Sequence, residues 1–116
     1  MTKLIYLASP YSGHPAIQEL RFRAVCKVAA RIMSSGQFVF SPIAHSHPIA
    51  QYGLPKDFEF WRECDTLMMT KCDELWVLML DGWNVSKGIE AELKLADEMH
   101  KPVKFINVNS DFPLLT

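Results

Sequence analysis

The chain has 116 residues, a hydrophobic fraction of 49% and a formal net charge of −1. These values predict a single globular domain over residues 1–116, and the absence of a basic run argues against binding to a nucleic acid polymer. No apolar run approaches membrane-spanning length, and the first residues lack a secretory signal pattern, so we expect a cytoplasmic protein with no membrane contact.

The first third of the chain predicts a strand, a helix and a second strand. Leu4–Ala8 is an apolar run typical of a central strand, and a helix is predicted from Pro15 to the residue before Gly36. Arg21 lies close to the apolar face of this helix, where we interpret it as an aliphatic stem that carries its charge to the surface. The residues predicted to face the core are Ile17, Leu20, Ala24, Val25, Val28 and Ile32.

A loop is predicted to follow the second strand, which covers residues 37–40. The loop spans residues 41–48 and contains two histidines, His45 and His47, which an extended backbone would place on one side. Two histidines are too few for a zinc site, and the three cysteines lack ligand spacing, so we predict no metal and no cofactor. His45 is either a ligand contact or an ordinary loop residue. Residues 49–56 are predicted to be irregular.

A second helix is predicted over residues 57–71. Its core-facing residues are predicted to be Phe60, Trp61, Cys64 and Met68. Asp65 lies beside that face, one turn after Trp61. Two interpretations are open for this carboxylate: it pairs with Arg62 or Lys71 at the rim, or it has a functional role.

The last part of the chain predicts a strand over residues 74–80, a turn over 81–88, a helix over 92–100 and a strand over 103–108. The tail that follows carries apolar residues, and we expect it to pack on the body of the protein or on a neighbouring subunit. Its apolar residues are Phe112, Leu114 and Leu115.

Glu92 interrupts the apolar face of the last helix. At about 100° per residue, one side of that helix comprises Ile89, Leu93, Ala96 and Met99. Glu92 falls among them, and an inward carboxylate is costly unless it is paired, hydrogen-bonded or functional. Either Glu92 turns outward from the edge of the stripe, or it is a functional residue.

The alternation of strands and helices predicts an α/β fold of flavodoxin or Rossmann type, with a small open parallel sheet and helices on both faces. A strand order near 2-1-3-4 would bring the ends of strands one and three together, and ligands bind at such switch points. We therefore expect Ser9, Ser12, the 81–88 turn and Glu92 to meet there, with Asp65 reaching them from the preceding helix.

Three stretches carry a family resemblance. They are Ile5-Tyr6-Leu7-Ala8-Ser9, the eight-residue spacing from Asp65 to Asp73, and Ser86-x-Gly88-x-x-x-Glu92 followed by Ala96. With these three stretches in this order, the chain resembles the nucleoside 2-deoxyribosyltransferase-like proteins from residue 5 to about residue 106. That superfamily includes small deoxynucleoside-monophosphate N-glycosidases, and the chain looks like a separate branch near them.

The resemblance implies a catalytic group in which Glu92 is the nucleophile, Tyr6 orients it and Asp65 protonates or positions the departing base. It also implies phosphate contacts from Ser9 and Ser86, which stand where the monophosphate hydrolases carry serines. The remaining candidate contacts to the substrate are Ser12, Gly88, Trp83, His45 and Tyr11. For Trp83, packing or a subunit interface is the alternative.

The sequence also departs from the family pattern. The hydrolase loop has an arginine and paired glycines after the first serine, whereas this chain has Pro10-Tyr11-Ser12-Gly13, and Arg21 is a candidate replacement. Lys94 stands where a glycine is usual.

The resemblance implies cleavage or transfer of the N-glycosidic bond of a deoxynucleotide or nucleoside, without a cofactor, by a homo-oligomer of two or more subunits. Two other hypotheses stay open at this point. The first is a nucleotide-binding or sensing protein that catalyses no reaction. The second is an interaction module whose exposed Trp and Met side chains dock a partner.

Overall fold

A computed structural model describes residues 2–108 of the chain. Strands and helices alternate along most of its length. In chain order they are β1 (Leu4–Ala8), α1 (Pro15–Ser34), β2 (Phe38–Phe40), α2 (Pro42–Ala50), α3 (Phe58–Lys71), β3 (Glu74–Leu78), a short 3₁₀ turn (Trp83–Val85), α4 (Lys87–Glu98) and β4 (Val103–Ile106).

The strands form one parallel sheet in the order β2-β1-β3-β4. This confirms the predicted fold class and strand order. Tyr6 lies in the middle of the sheet, where it pairs with Phe40 of β2 and with Leu75 of β3. The carboxyl ends of β1 and β3 are therefore adjacent, and the chain leaves them toward opposite edges of the sheet, which makes the switch point where ligands bind in such folds.

Successive strand residues point to opposite sides of the sheet. Helices pack on both faces and bury these side chains in two separate cores. One core lies between the sheet and α1 and comprises Ile5, Leu7, Val25, Val28, Ile32, Trp76, Leu78 and Ile106. The other lies between the sheet, α3 and α4 and comprises Tyr6, Ala8, Met69, Cys72, Leu75, Val77, Ile89 and Ala96. The two-faced burial explains why β1 and β3 read as continuous apolar runs.

Only the second half of α1 packs against the sheet, so the predicted inward face was too long. Ile17 is 40% exposed and Leu20 is 63% exposed, whereas burial begins at Val25. Periodicity alone cannot show where a helix extends past the sheet that covers it.

The predicted loop over residues 41–48 is wrong, because Pro42–Ala50 is α2. The overlooked signal is Ser41-Pro42. The Ser41 side chain caps the helix by accepting a hydrogen bond from the Ala44 amide at 3.0 Å, and a proline is favoured in the first helical position. Helical geometry also turns His45 and His47 to different sides, which removes the shared side that an extended loop would give them.

The buried face of α3 is rotated relative to the prediction. Trp61, Asp65 and Met69 are its buried residues, while Phe60 is 48% exposed and Cys64 and Met68 are partly buried. Asp65 is thus central to the buried face and does not lie at a rim. The alternative in which Asp65 pairs with Arg62 or Lys71 is not seen among the described residues, and Arg62 pairs with Glu59 at 3.6 Å.

Some predicted boundaries differ from the structure by two to five residues. Strand β3 ends at Leu78, β4 ends at Ile106, and α4 begins at Lys87, before the predicted helix start. None of the helices within residues 2–108 is both long and apolar enough to cross a membrane. The expectation for Phe112, Leu114 and Leu115 lies outside the described residues.

Met69→Ala tests the rotated face of α3. Met69 is fully buried, so its truncation should lower the free energy of unfolding by about 2–5 kcal/mol. Leu67→Ala is the matched control, because Leu67 is 59% exposed and its loss should cost about 0.5 kcal/mol or less. Urea denaturation of both variants measures the difference, and equal losses would contradict this orientation of α3.

Candidate functional site

A cleft opens at the switch point, above the carboxyl ends of β1 and β3. We call it the main cleft, and its cavity volume is about 100 Å³. Seven of the ten candidate site residues line it: Ser9, Tyr11, Ser12, Asp65, Ser86, Gly88 and Glu92. A neighbouring groove between α3 and α4, the rear cleft, is lined by Tyr6 together with Phe58, Asp65 and Glu92.

Glu92 points inward and is 6% exposed. Tyr6 Oη donates a hydrogen bond of 2.5 Å to Glu92 Oε2, which joins the central strand to the second turn of α4. Burial and the neighbouring Glu92 carboxylate raise the pKa of Tyr6 far above its ordinary value, so the tyrosine keeps its proton and acts as a donor. Glu92 therefore neither turns outward nor pairs with an arginine of the described residues, and its functional role stays a prediction.

Asp65 lies below the same cleft and is 7% exposed. Its Oδ1 has no hydrogen-bond partner among the described residues. Native proteins rarely leave a buried polar atom unsatisfied, and such an atom marks a place for a water, an ion or a ligand. Asp65 is therefore available to a group that enters the main cleft.

The two buried carboxyls titrate above their ordinary range. Burial raises the pKa of Asp65 from 3.8 to about 7. Burial also raises the pKa of Glu92 to about 8, with the Tyr6 hydrogen bond lowering it and the Asp65 charge raising it further. Because each anion disfavours the other, the carboxyls act as a pair, and the pair retains at least one proton at neutral pH.

The base of the cleft holds two carboxyls, whereas its mouth is surrounded mainly by positive groups. The first residues of α2, α3 and α4 all line it: Pro42, Ile43, Phe58, Lys87 and Gly88. The positive ends of three helix dipoles thus point toward one space. Lys56 and Lys87 also line the cleft, with one carboxylate, Asp57, at the same level, and neither lysine forms an ion pair with another described residue. The mouth therefore favours an anion.

Two serines in the cleft have hydrogen-bonding capacity to spare. Ser9 is 6% exposed, and its Oγ has no partner within residues 2–108. Ser86 caps α4 by accepting a hydrogen bond from the Ile89 amide at 3.3 Å, which leaves its hydroxyl hydrogen free to donate. At Gly88 a Cβ would make only ordinary contacts with Phe58 and Ser86 at 3.7 and 3.8 Å, so close packing does not require a glycine there.

Arg21 holds the two loops that form the cleft. Its Nη1 donates to the Ser12 carbonyl at 2.8 Å, and its Nη2 donates to the Asp81 carbonyl at 3.0 Å. Gly82 has φ of 89°, and a Cβ there would lie 2.9 Å from Arg21 Nη2. The arginine is thus more than an aliphatic stem, and the glycine both permits the turn and makes room for the guanidinium.

Two predicted site residues, Trp83 and His45, line neither the main cleft nor the rear cleft. Trp83 packs against the core beneath α4 and contacts Phe105, with ring centroids 5.5 Å apart. His45 is exposed and contacts the rings of Phe40 and Trp61 at 5.8 and 6.0 Å. For Trp83 this is the packing role that the sequence left open. His45 reaches the cleft only through Trp61, which lines it.

A buried hydrogen-bonded chain supports the wall of the cleft. Tyr11 lines the cleft, its Oη lies 2.6 Å from His47 Nδ1, and His47 Nε2 lies 2.9 Å from Glu19 Oε1. Because the Glu19 carboxylate accepts from Nε2–H, Nδ1 accepts the proton of Tyr11. His47 also stacks on Phe22, with centroids 4.4 Å apart. The chain fixes the loop after β1 against α1 and α2.

Sequence reasoning missed several cleft residues. Lys87 had a usable signal, because it directly follows the helix cap Ser86 in the turn already singled out. Lys56 and Phe58 had none, since they come from the segment before α3 and reach the cleft only through the fold. No group of three His, Cys, Asp or Glu side chains in the described part of the chain is placed to hold a metal ion.

The structure is an α/β fold with a four-stranded parallel sheet and a cleft at its switch point. The chain belongs to the family described as a domain of unknown function, DUF1937, whose model matches residues 3–108. A search among curated proteins finds no match to the chain. The family description names no activity, so the chemistry has to be inferred from the site.

Asp65→Asn should change how stability depends on pH. Between pH 3.8 and about 7 the folded protein keeps a proton that unfolded Asp65 has lost, so wild-type stability falls as pH rises, by up to about 1.4 kcal/mol per pH unit. The variant loses this contribution and should gain stability relative to wild type across the window. Denaturation from pH 4.5 to 7.5 measures this, with exposed Asp97→Asn as control. Parallel profiles for wild type and Asp65→Asn would contradict it.

His47→Ala should destabilise the protein by leaving the Tyr11 hydroxyl buried without its acceptor. We expect a loss of about 1–3 kcal/mol in the free energy of unfolding. The exposed His45 is the matched comparison, and His45→Ala should cost less than half as much. Chemical denaturation at pH 7.5 provides both values, and losses of the same size would show that the chain from Glu19 to Tyr11 adds nothing.

Proposed function

We propose that this protein cleaves or transfers the N-glycosidic bond of a deoxynucleotide or nucleoside, with Glu92 as the nucleophile. The observation that carries the proposal is the Tyr6–Glu92 hydrogen bond beside the unpaired Asp65 oxygen, at the base of a cleft. A carboxylate that can attack and a second carboxyl that can give and take a proton are the two groups that retaining glycosidic chemistry uses.

In the first step, a carboxylate oxygen of Glu92 bonds to C1′ while the bond from C1′ to the base nitrogen breaks. The electron pair of that bond moves to the base, which takes a proton from Asp65. A pKa of about 7 suits Asp65 to this task at neutral pH, because it holds its proton and can still release it. Tyr6 keeps Glu92 oriented by donating to its other oxygen.

In the second step, a water attacks C1′ and gives its proton to the Asp65 carboxylate. The bond between C1′ and Glu92 breaks, and its electrons return to the Glu92 carboxylate. A second base in place of water completes a transfer. Both the main cleft and the rear cleft reach Asp65 and Glu92, which provides a route for water or acceptor on a side that the sugar leaves open.

The cleft mouth supports a 5′-phosphate on the substrate. Glu92 lies six residues after Ser86, about 9 Å along the helix axis, so a sugar can lie between the carboxylate and the helix start. A phosphate at that start would meet the Ser86 hydroxyl, the unpaired Ser9 hydroxyl and Lys87. Lys87 and Lys56 supply the positive charge that the family pattern draws from a loop arginine absent here.

A second candidate function is nucleotide binding without turnover. One observation favours it: burial raises the pKa of Glu92 to about 8, so at neutral pH the residue is mostly protonated and a poor nucleophile. Catalysis requires the positive charge that develops at C1′ to favour the ionised form of Glu92. A sensing protein needs no such change.

The proposal includes a homo-oligomer of two or more subunits. Its support is the apolar edge strand β4, where Val103 is 40% exposed and Phe105 is 44% exposed. Light scattering coupled to gel filtration gives the subunit number.

Base release is the deciding measurement. Deoxynucleosides, ribonucleosides and their 5′-monophosphates are incubated with the protein, and free base is followed by chromatography. Glu92→Gln should lower the rate by about 10³-fold or more, and Asp65→Asn by about 10²–10⁴-fold. Glu90→Gln is the matched control, since Glu90 is exposed on the same helix and should keep the wild-type rate.

Release by wild type and by Glu90→Gln, but not by Glu92→Gln, establishes the reaction and its nucleophile. Equal release by Glu92→Gln rejects Glu92 as nucleophile. Binding of a nucleotide without any release favours the second candidate.

A further inference from the structure

A third opening, the side cleft, continues from the main cleft past the start of α4. Four residues line both spaces: Tyr11, Ser12, Ser86 and Lys87. Arg21, Gly82 and Val85 complete the lining of the side cleft, and its cavity volume is about 280 Å³. A ligand that reaches the start of α4 from the main cleft therefore has space to extend beyond it.

Arg21 is a cation without a carboxylate partner in the described part of the chain. Its two terminal nitrogens each donate to one backbone carbonyl, of Ser12 and of Asp81. A guanidinium has five N–H groups, so three remain after these two bonds. A half-buried guanidinium that faces a cleft with hydrogen-bonding capacity left is suited to an anion.

The start of α4 connects the two spaces. The amides of Lys87 and Gly88 have no acceptor among the described residues, because the cap supplied by Ser86 serves the Ile89 and Glu90 amides. The Lys87 side chain faces both clefts and forms no described ion pair. An independent sign of a ligand here is Ser9, whose buried Oγ lines the main cleft without a partner.

We propose that the main and side clefts together bind a nucleoside 5′-diphosphate. The inner phosphate lies at the start of α4 near Ser9 and Ser86, and the outer phosphate lies between Lys87 and Arg21. This rests on the proposed function only for the direction of the ligand, with its sugar toward Glu92. Two phosphates in series match two successive cationic groups, whereas a monophosphate leaves the Arg21 end unused.

The test compares the affinities of nucleosides, 5′-monophosphates and 5′-diphosphates for the full chain by calorimetry. A diphosphate should bind about tenfold or more tightly than its monophosphate. Arg21→Gln should remove this preference. Lys27→Gln removes the same charge from an exposed position of α1 and should keep the preference for the diphosphate. Loosened loops alone would weaken both ligands alike, so the ratio of the two affinities separates phosphate contact from a structural effect of Arg21.

Equal affinity for monophosphate and diphosphate overturns the inference, as does an unchanged ratio in Arg21→Gln. Base release from monophosphates together with equal affinities rejects the diphosphate site and keeps the glycosidic proposal. A preference for the diphosphate that depends on Arg21, without base release from any substrate, keeps the diphosphate site and rejects the glycosidic proposal. Failure of every nucleotide to bind overturns both proposals.

Discussion

The hydrogen bond from Tyr6 to Glu92 connects the centre of the sheet to the helix that borders the cleft. Tyr6 is fully buried between its neighbours in β2 and β3, so its hydroxyl has a fixed position, and the carboxyl of Glu92 follows it. An inward carboxylate without this donor would be a costly buried group. The same contact therefore stabilises the packing of α4 and fixes the position of the Glu92 carboxyl at the base of the cleft.

The cleft separates two electrostatic environments along one helix. Its base holds two carboxyls whose burial favours the protonated form, and its mouth holds helix starts, two lysines and hydroxyl groups that favour an anion. A ligand with an acid-sensitive bond at one end and negative charge at the other fits both. The separation arises from the fold itself, because every helix in a parallel α/β unit begins near the carboxyl ends of the strands.

Strand and helix order could be predicted because apolar runs, turn residues and helical periodicity are local signals. They indicated a parallel sheet and the meeting of Glu92, Asp65, Ser9 and Ser86 near one switch point. Three details failed. Helix α2 was taken for a loop, although Ser41-Pro42 is a helix start. The face of α3 was misjudged because Phe60 suits an inward position by hydrophobicity alone, and the early turns of α1 extend past the sheet.

The sequence by itself determined the fold class and the chain positions of the two unusual carboxyls. Glu92 interrupts a local apolar face and Asp65 lies beside one, and neither pattern needs knowledge of distant residues. Only the tertiary structure decided their surroundings. The partner of Glu92 lies 86 residues away, Arg21 reaches a carbonyl 60 residues away, and Lys56 joins the cleft from a segment with no motif. Contacts over such separations follow from how the helices dock on the sheet, and docking depends on the packing of all residues together.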